Sequence, residues 1–399
     1  MLDPLGQTQV LPYLRALSSK GASFTLLSFE RPQAFEADGP AKCEILRRQL
    51  AEQNIEWHWL RYHQKPSIPA TFYDVLRGIQ YAGRLVRTNR IEMVHARSHI
   101  PAAIALVLKK RFGIKMIFDI RGLMAEEYVD ANHWKQGGLP FRLTKTVERR
   151  ALASADGVVT LTEKIWPILQ NWEGLRGRSV VHEVIPCCTD LELFNYNEPD
   201  RRRRREELGL RDRLVVVYCG SIDGWYLTEE MADFFAHVLK KKPKAHLLWL
   251  TPVKHARVEA LMEHRAISRH HYTIRSVAPQ EVPSYLSASD VGLAFIRSCF
   301  SKLASSPTKN AEYLACGLPL VINAGVGDSD SLIRDWKVGA LVENLSEADY
   351  EKAVGTLDAL TAEPSTVRAQ ARSVAEKFFD VRRVGVERYE RLYRRVLNN

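Results

Sequence analysis

The sequence predicts an α/β protein of two Rossmann-like domains facing each other, with a C-terminal helix crossing back to the first. Three observations carry this. The 399 residues exceed what one hydrophobic core fills, since single domains run to roughly 100–200 residues. A short β-branched or apolar run, a turn and a segment of helical period recur in both halves, the pattern of βα units on a parallel sheet. Between the two sets lies a polar stretch, 194–213, with Asn195, Asn197, Pro199 and the run Arg201–Arg205, which reads as a linker entering a short helix.

The expected strands of the first half are 23–28, 93–95, 115–119, 157–161 and 179–185; the second half restarts at 214–219, 246–250, 272–276, 291–295 and 320–323. This predicts an N-terminal domain over 1–193, a second over 194–375 and a crossover helix over 376–399. The final segment has helical period, with Val374, Phe378, Phe379, Val386, Tyr389, Leu392 and Tyr393 among many arginines. The start is unusual. Asp3-Pro4-Leu5-Gly6 reads as a turn with no apolar strand ahead of it, whereas a doubly wound domain supplies one there, so the expectation is a truncated start or a domain lacking its first strand.

Hydrophobic residues make up 46% and charged residues 26%, which argues for a folded chain throughout. No apolar run approaches the ~18 residues of a membrane span and no secretory signal opens the sequence, which predicts a cytoplasmic protein. Six cysteines without CxxC spacing point to neither disulfides nor zinc. The net charge of +10 predicts an anionic partner: a phosphate-bearing substrate, an anionic membrane surface or nucleic acid.

The most informative stretch is 305–319, which carries start and stop signals for a short helix: Ser306 fits the N-cap, Pro307 the first position and Gly317 the left-handed residue past the end. A helix N-terminus presents unpaired N–H groups and suits a pyrophosphate, together with Ser305, Ser306 and Thr308. Lys309 in the first turn opposes the helix dipole unless an anion lies beside it, and Glu312, a turn deeper, suits sugar hydroxyls. The alternative is a capped surface helix with Lys309 and Glu312 solvated. A second candidate is Gly220-Ser221, where a strand enters a glycine-bearing turn at the carboxyl edge of the second sheet. In the first half, His95 and Arg97, and Asp119 and Arg121, follow apolar strands and so stand at the carboxyl edge, facing the second domain across a cleft. Arginine there pairs with phosphate, and His or Asp accepts a proton or positions a hydroxyl. Glu126 and Glu127 read as acceptor-binding carboxylates or as a solvated helix start.

Gly6-Gln7 with Leu11-Pro12-Tyr13-Leu14 and Leu17, the segments 94–98 and 118–122, Ile185-Pro186-Cys187-Cys188-Thr189-Asp190 and 306–319 together resemble the family 4 retaining glycosyltransferases of the GT-B fold, over nearly the whole chain. The resemblance implies that Gly6 lies on the donor side and that Glu312 is the second glutamate of the family's E-x7-E motif, which holds the donor ribose. The first glutamate falls at Ala304, leaving its sugar contact to Ser305, Ser306 or Asn310. The arginine and lysine that members place after the first strand of the second domain are absent from the Ser221 loop, which leaves Lys309 and the helix N-terminus for the pyrophosphate. It further implies a hexosyltransferase acting in cell-surface polysaccharide assembly on a glycan or lipid-linked acceptor, with no cofactor and no metal, the departing pyrophosphate being stabilised electrostatically. The basic tail and linker then suggest peripheral attachment to an anionic membrane, or else simple docking of the tail. Rival readings are a noncatalytic polyanion-binding or nucleic-acid-binding protein, which lacks any RNA-binding signature here, and a nucleotide-sugar epimerase of similar fold.

Overall fold

The computed structural model describes residues 1–252 and 255–398; Asn399, which the expected crossover helix includes, lies outside them. The chain forms two compact units, Met1–Pro186 with Val381–Asn399, and Cys187–Asp380. These limits differ from the expected boundary at 193/194.

The second unit is one six-stranded parallel sheet built from β7 (Val215–Cys219), β8 (His246–Leu250), β9 (Tyr272–Arg275), β10 (Val291–Ala294), β11 (Leu320–Asn323) and β12 (Gly339–Val342), in the order β12-β11-β10-β7-β8-β9. Both faces are covered. Val216, Tyr218, Leu247 and Trp249 enter one apolar cluster, while their neighbours Val215, Val217, Leu248 and Leu250 enter the other. Burial on both sides is why these strands read as uninterrupted apolar runs. The strand order reverses between β7 and β10, and ligands of open α/β sheets bind outside the carboxyl ends at such a point.

The first unit holds two parallel sheets: a pair, β1 (Phe24–Glu30) with β2 (Ile55–Arg61), and four strands ordered β3 (Met93–Arg97), β4 (Lys115–Asp119), β5 (Gly157–Thr160), β6 (Val181–Val184). Asp3-Pro4-Leu5-Gly6 is no turn: Asp3 accepts the Gly6 N–H at 2.7 Å and caps a helix, Pro4–Gln9. Gly6 sits inside that helix, where an added Cβ would fall 2.8 Å from Met1 Cα. Packing, and not a left-handed turn, explains this glycine.

The polar stretch is not a solvated linker. Asn197 caps the helix Glu198–Glu207 by accepting from the Asp200 N–H, and all five arginines have partners. Arg201 bonds Asp290 and the Ser287 and Ser289 carbonyls, Arg202 bonds Glu198, and Arg203 bonds Asp200. Arg204, buried, reaches Glu281 and Tyr285, and Arg205, buried, reaches Asp290. The C-terminal segment runs as a helix, Pro364–Phe378, in the second unit, a π-helical turn, Val381–Val386, and a helix, Glu387–Asn398, in the first. Two of its arginines dock it: Arg388 donates to the Val184 carbonyl at 2.5 Å and Arg391 is bidentate on Glu183 at 2.6 and 2.7 Å, whereas Arg394 pairs with Glu390 within the same helix.

Candidate functional site

In the second unit the site forms at the switch point. The helix Thr308–Ala315 starts after β10 and lies against β7 and β10. Gly292 in β10 is what lets it approach: a Cβ there would meet the Tyr313 ring at 2.3 Å. Tyr313 therefore reaches across the sheet edge, where its phenol oxygen accepts the Cys219 N–H at 2.7 Å. This fixes the helix relative to the end of β7.

Lys309 and Gly220 meet there. Gly220 has φ +141, a conformation L side chains rarely adopt, and the position its Cβ would take is 3.3 Å from Lys309 Nζ. Lys309 is buried, its ammonium 3.6 Å from the centre of the Tyr226 ring and 5.1 Å from that of Tyr218. The surface-helix alternative, with a solvated lysine, does not hold. Glu312 is half-buried, and burial pushes its carboxyl up to about 7 although Lys309 pulls the other way. A carboxyl so perturbed, beside a cation at a sheet's carboxyl edge, makes this a candidate ligand site.

Ser306 is not the N-cap. Its Oγ accepts the Cys187 N–H at 3.1 Å, and Pro307, expected at the first helical position, is itself the cap residue, with extended backbone. Gly317 does take the left-handed conformation past the helix end, φ +74. Ser305 and Thr308 are half-buried beside Ser306, and Ser221 is exposed in the loop after β7. Ala304 is buried, and Asn310 holds Ser329 through its amide nitrogen at 3.1 Å while its buried Oδ1 has no partner. Lys302 and Trp225 were not foreseen. The buried Lys302 places Nζ 3.8 Å over the Trp225 ring, and Tyr226 bridges Ile296, so the β7 loop and the segment after β10 close on each other. A second lysine seven residues ahead of Lys309 was the available signal.

In the first unit His95, Arg97, Asp119 and Arg121 do come together, at the carboxyl ends of β3 and β4. Asp119 is fully buried, with His95 Nε2 at 3.4 Å, Arg97 Nη1 at 3.8 Å and Arg121 Nη1 at 3.9 Å. Tyr389 donates to it at 2.8 Å, and Tyr393 pairs with His95 Nδ1 at 2.7 Å. Burial alone would raise the Asp119 carboxyl; Arg121, then His95 and Arg97, outweigh it and hold it at about 2. Asp119 is thus no proton acceptor open to a substrate, as the sequence suggested, but a buried anion that aligns Arg97 and Arg121 and lies beside the His95 ring. Arg121 has φ +54 and Ser98 φ +76, left-handed strain of the kind the fold retains at working sites. Glu126 is no solvated helix start: Lys145 bonds it at 2.7 Å, and burial, then Glu148, raise its carboxyl. Gly6, expected on the donor side, belongs to the first unit.

These features define a class. Residues 6–188 match the glycosyl transferase 4-like domain and residues 200–373 the glycosyl transferases group 1 domain, and the chain belongs to the GT-B glycosyltransferases, enzymes that use nucleotide sugars. Among curated proteins it is 24% identical, over 73% of this chain and 72% of the relative, to a GDP-mannose-dependent alpha-(1-6)-phosphatidylinositol monomannoside mannosyltransferase of Mycolicibacterium smegmatis. Among solved structures it resembles sucrose-phosphate synthase from Thermosynechococcus elongatus (TM-score 0.71, 16% identity, 94% of this chain and 100% of that one). It also resembles Anabaena HepE in complex with UDP and glucose (TM-score 0.68, 15% identity, 96% and 95%). Among the described residues no group of His, Cys, Asp and Glu is placed to hold a metal ion, and no helix is long and apolar enough to cross a membrane.

Proposed function

We propose that the chain transfers a hexosyl group, with retention of configuration, from a nucleoside-diphosphate sugar bound in the second unit to a glycan or lipid-linked acceptor bound by the first. The observation that carries this is the buried Lys309 ammonium on the open face of Gly220 at the sheet's switch point, with Glu312 a turn away. The helix N–H groups, Lys309 and Lys302 take the pyrophosphate and stabilise the charge that grows on it as the glycosidic bond breaks. Glu312 takes the ribose or sugar hydroxyls. His95, Arg97 and Arg121 orient the acceptor. The relative from Mycolicibacterium smegmatis, named for a phosphatidylinositol mannoside acceptor, supports the lipid-linked choice. Against the polyanion-binding rival stands the docking of Arg201, Arg204 and Arg205 in the run, and of Arg388 and Arg391 in the tail, onto groups of their own unit.

Glu312→Gln tests the donor site. Thermal shifts with a panel of nucleotide sugars identify the donor, since a ligand at 100 times its Kd adds about 2.7 kcal/mol. With that donor the variant is expected to bind roughly ten- to a hundredfold more weakly, the worth of about 1.5–3 kcal/mol for a hydrogen bond to a charged group. Wild-type affinity should rise with pH up to about 7, as the carboxyl ionises, and then level off. The stability of the free protein moves the other way. The folded carboxyl titrates above its unfolded value of 4.5, so stability falls as pH rises from 4.5 to about 7, by about 3 kcal/mol at most. The glutamine variant should lack that loss. Unchanged donor affinity in the variant would leave Glu312 a structural residue.

We place peripheral membrane attachment, at the cytoplasmic face, on the helix Ser67–Thr88 and not on the tail. Ile68, Phe72, Tyr73 and Leu76 are exposed on it, Phe72 at 64%, beside the exposed Arg77. An apolar stripe flanked by cations suits an interfacial helix. Phe72→Ser should lower co-sedimentation with anionic vesicles roughly tenfold, given about 1.5–3 kcal/mol for burying a Phe side chain, whereas Arg394→Ala should change it little. The reverse ranking would return attachment to the tail.

A further inference from the structure

Three helices of the first unit meet on one carboxylate. Glu148, on the helix Leu139–Ser154, is 1% exposed, and both of its oxygens are engaged. Oε2 stands 2.9 Å from His99 Nε2, and Oε1 pairs with the Lys145 ammonium of the same helix. Lys145 in turn bonds Glu126 at 2.7 Å and stands 3.7 Å from the centre of the Trp172 ring. His99 is the first residue of the helix His99–Phe112, and Glu126 lies in the first turn of the helix Met124–Asp130. The His99 ring is buried and its Nδ1 has no hydrogen-bond partner, so Nε2 carries the proton that faces Glu148. A carboxylate this far from water is costly to keep unless it is paired, and removing its partners leaves it uncompensated.

What these pairs hold is specific. Ser98 directly precedes His99, and Arg121 precedes Glu126 by five residues; both take left-handed backbone, φ +76 and +54. They form the turns that carry the chain off the ends of β3 and β4, where Arg97 and Arg121 stand. The Ser98 N–H donates to the Asp119 carbonyl at 2.8 Å, which ties the first turn to the second strand. Left-handed backbone at such residues persists only where the surroundings over-determine it. Asp119 supplies the counter-charge, but its ion pairs with the two guanidiniums, at 3.8 and 3.9 Å, are longer than hydrogen bonds. The backbone of each turn is therefore held elsewhere. We propose that Glu148 is the positioning residue of this site: through His99 it fixes the turn behind Arg97, and through Lys145 and Glu126 the turn behind Arg121. One buried carboxylate thereby sets the spacing of the two guanidiniums that orient the acceptor, a role that rests on the acceptor reading proposed above.

Glu148→Gln in the full chain tests it, read by the Nε–H resonances of Arg97 and Arg121 and by backbone hydrogen exchange. Both resonances are expected to shift. Amides of the first turns after Ser98 and after Leu123 should exchange roughly tenfold faster, with β5 and β6 unchanged. The two arms separate in single variants: His99→Gln should loosen only the turn after Ser98, and Lys145→Met only the one after Leu123. Transfer to octyl α-mannoside, as the acceptor probe, should lose roughly ten- to a hundredfold in kcat/KM in Glu148→Gln, with donor affinity within about twofold. Unmoved resonances and turns in Glu148→Gln overturn the proposal, as does faster exchange throughout the first unit, which would make Glu148 a core residue only. Where Glu148→Gln does not fold, His99→Gln and Lys145→Met decide, and the proposal falls if neither moves its own turn. Wild-type transfer in both Arg97→Lys and Arg121→Lys, with the resonances still shifted by Glu148→Gln, would overturn the acceptor reading and leave the anchoring by Glu148 standing.

Discussion

Lys309→Ala is expected to lower kcat/KM by roughly 10²–10³-fold, the usual loss when one donor to a developing anion is removed from a preorganised site. The ammonium has few other reasons to be where it is. It sits in the first turn of a helix, against the dipole, which costs about 0.3–1 kcal/mol, and it is buried. Its aromatic platform changes one expectation that dipole reasoning alone supports. Removing the charge should not stabilise the free protein, because the contacts with Tyr226 and Tyr218 are worth about 0.5–2 kcal/mol and the Glu312 carboxyl loses the cation that restrains it. The variant should therefore be slightly less stable, and the pH at which donor affinity levels off should move above about 7. Lys309→Met keeps the bulk over the tyrosines and should lose as much turnover as the alanine variant. Steady-state kinetics at subsaturating donor decide the matter: activity within about twofold of wild type would remove Lys309 from the pyrophosphate, whatever its packing.

The strands of the second unit were legible because a parallel sheet covered on both faces writes its strands as apolar runs, as in 215–219 and 246–250. β2 was not, since Glu56, His58 and Arg61 interrupt Ile55-Glu56-Trp57-His58-Trp59-Leu60-Arg61; nor was β12, with four residues opened by Gly339. At the site, the residue types and their chain positions were readable, but their partners were not. Ser306 has the chemistry of an N-cap, yet a backbone N–H 119 residues away, at Cys187, claims its hydroxyl. Arg204 and Arg205 look like a solvated run because Glu281 and Asp290, which bury them, lie about eighty residues downstream. The same distance hid Tyr389, which meets Asp119 across 270 residues and changes that carboxylate from a candidate base into a buried anchor. Local propensity carries no record of such contacts; only the fold supplies them.

Asp119→Asn should be the most destabilising of these substitutions, by about 2–3 kcal/mol, the worth of a folded carboxyl held at about 2 against 3.8 unfolded, because it takes the counter-charge from Arg97 and Arg121 while keeping the shape of the side chain. His95, Arg97 and Arg121 all stand within 3.9 Å of Asp119 Oδ2, and Arg121 is only 11% exposed, so water replaces the lost anion least well there. The pH dependence identifies the cause. The folded carboxyl titrates near 2, below its unfolded value of 3.8, so its contribution is complete above 3.8 and is lost as pH falls toward 2. Denaturation of wild type and variant should accordingly differ most above pH 3.8 and converge toward pH 2. Tyr389→Phe removes a single hydrogen bond from the same carboxylate and should cost about 1 kcal/mol, with no such convergence. On the proposed reading the asparagine variant also raises KM for the acceptor more than it lowers donor affinity, since the arginines it releases belong to the first unit. A penalty for Asp119→Asn no larger than that for Tyr389→Phe would mean that the two arginines are held by their own surroundings, and the anchor role would fall with it.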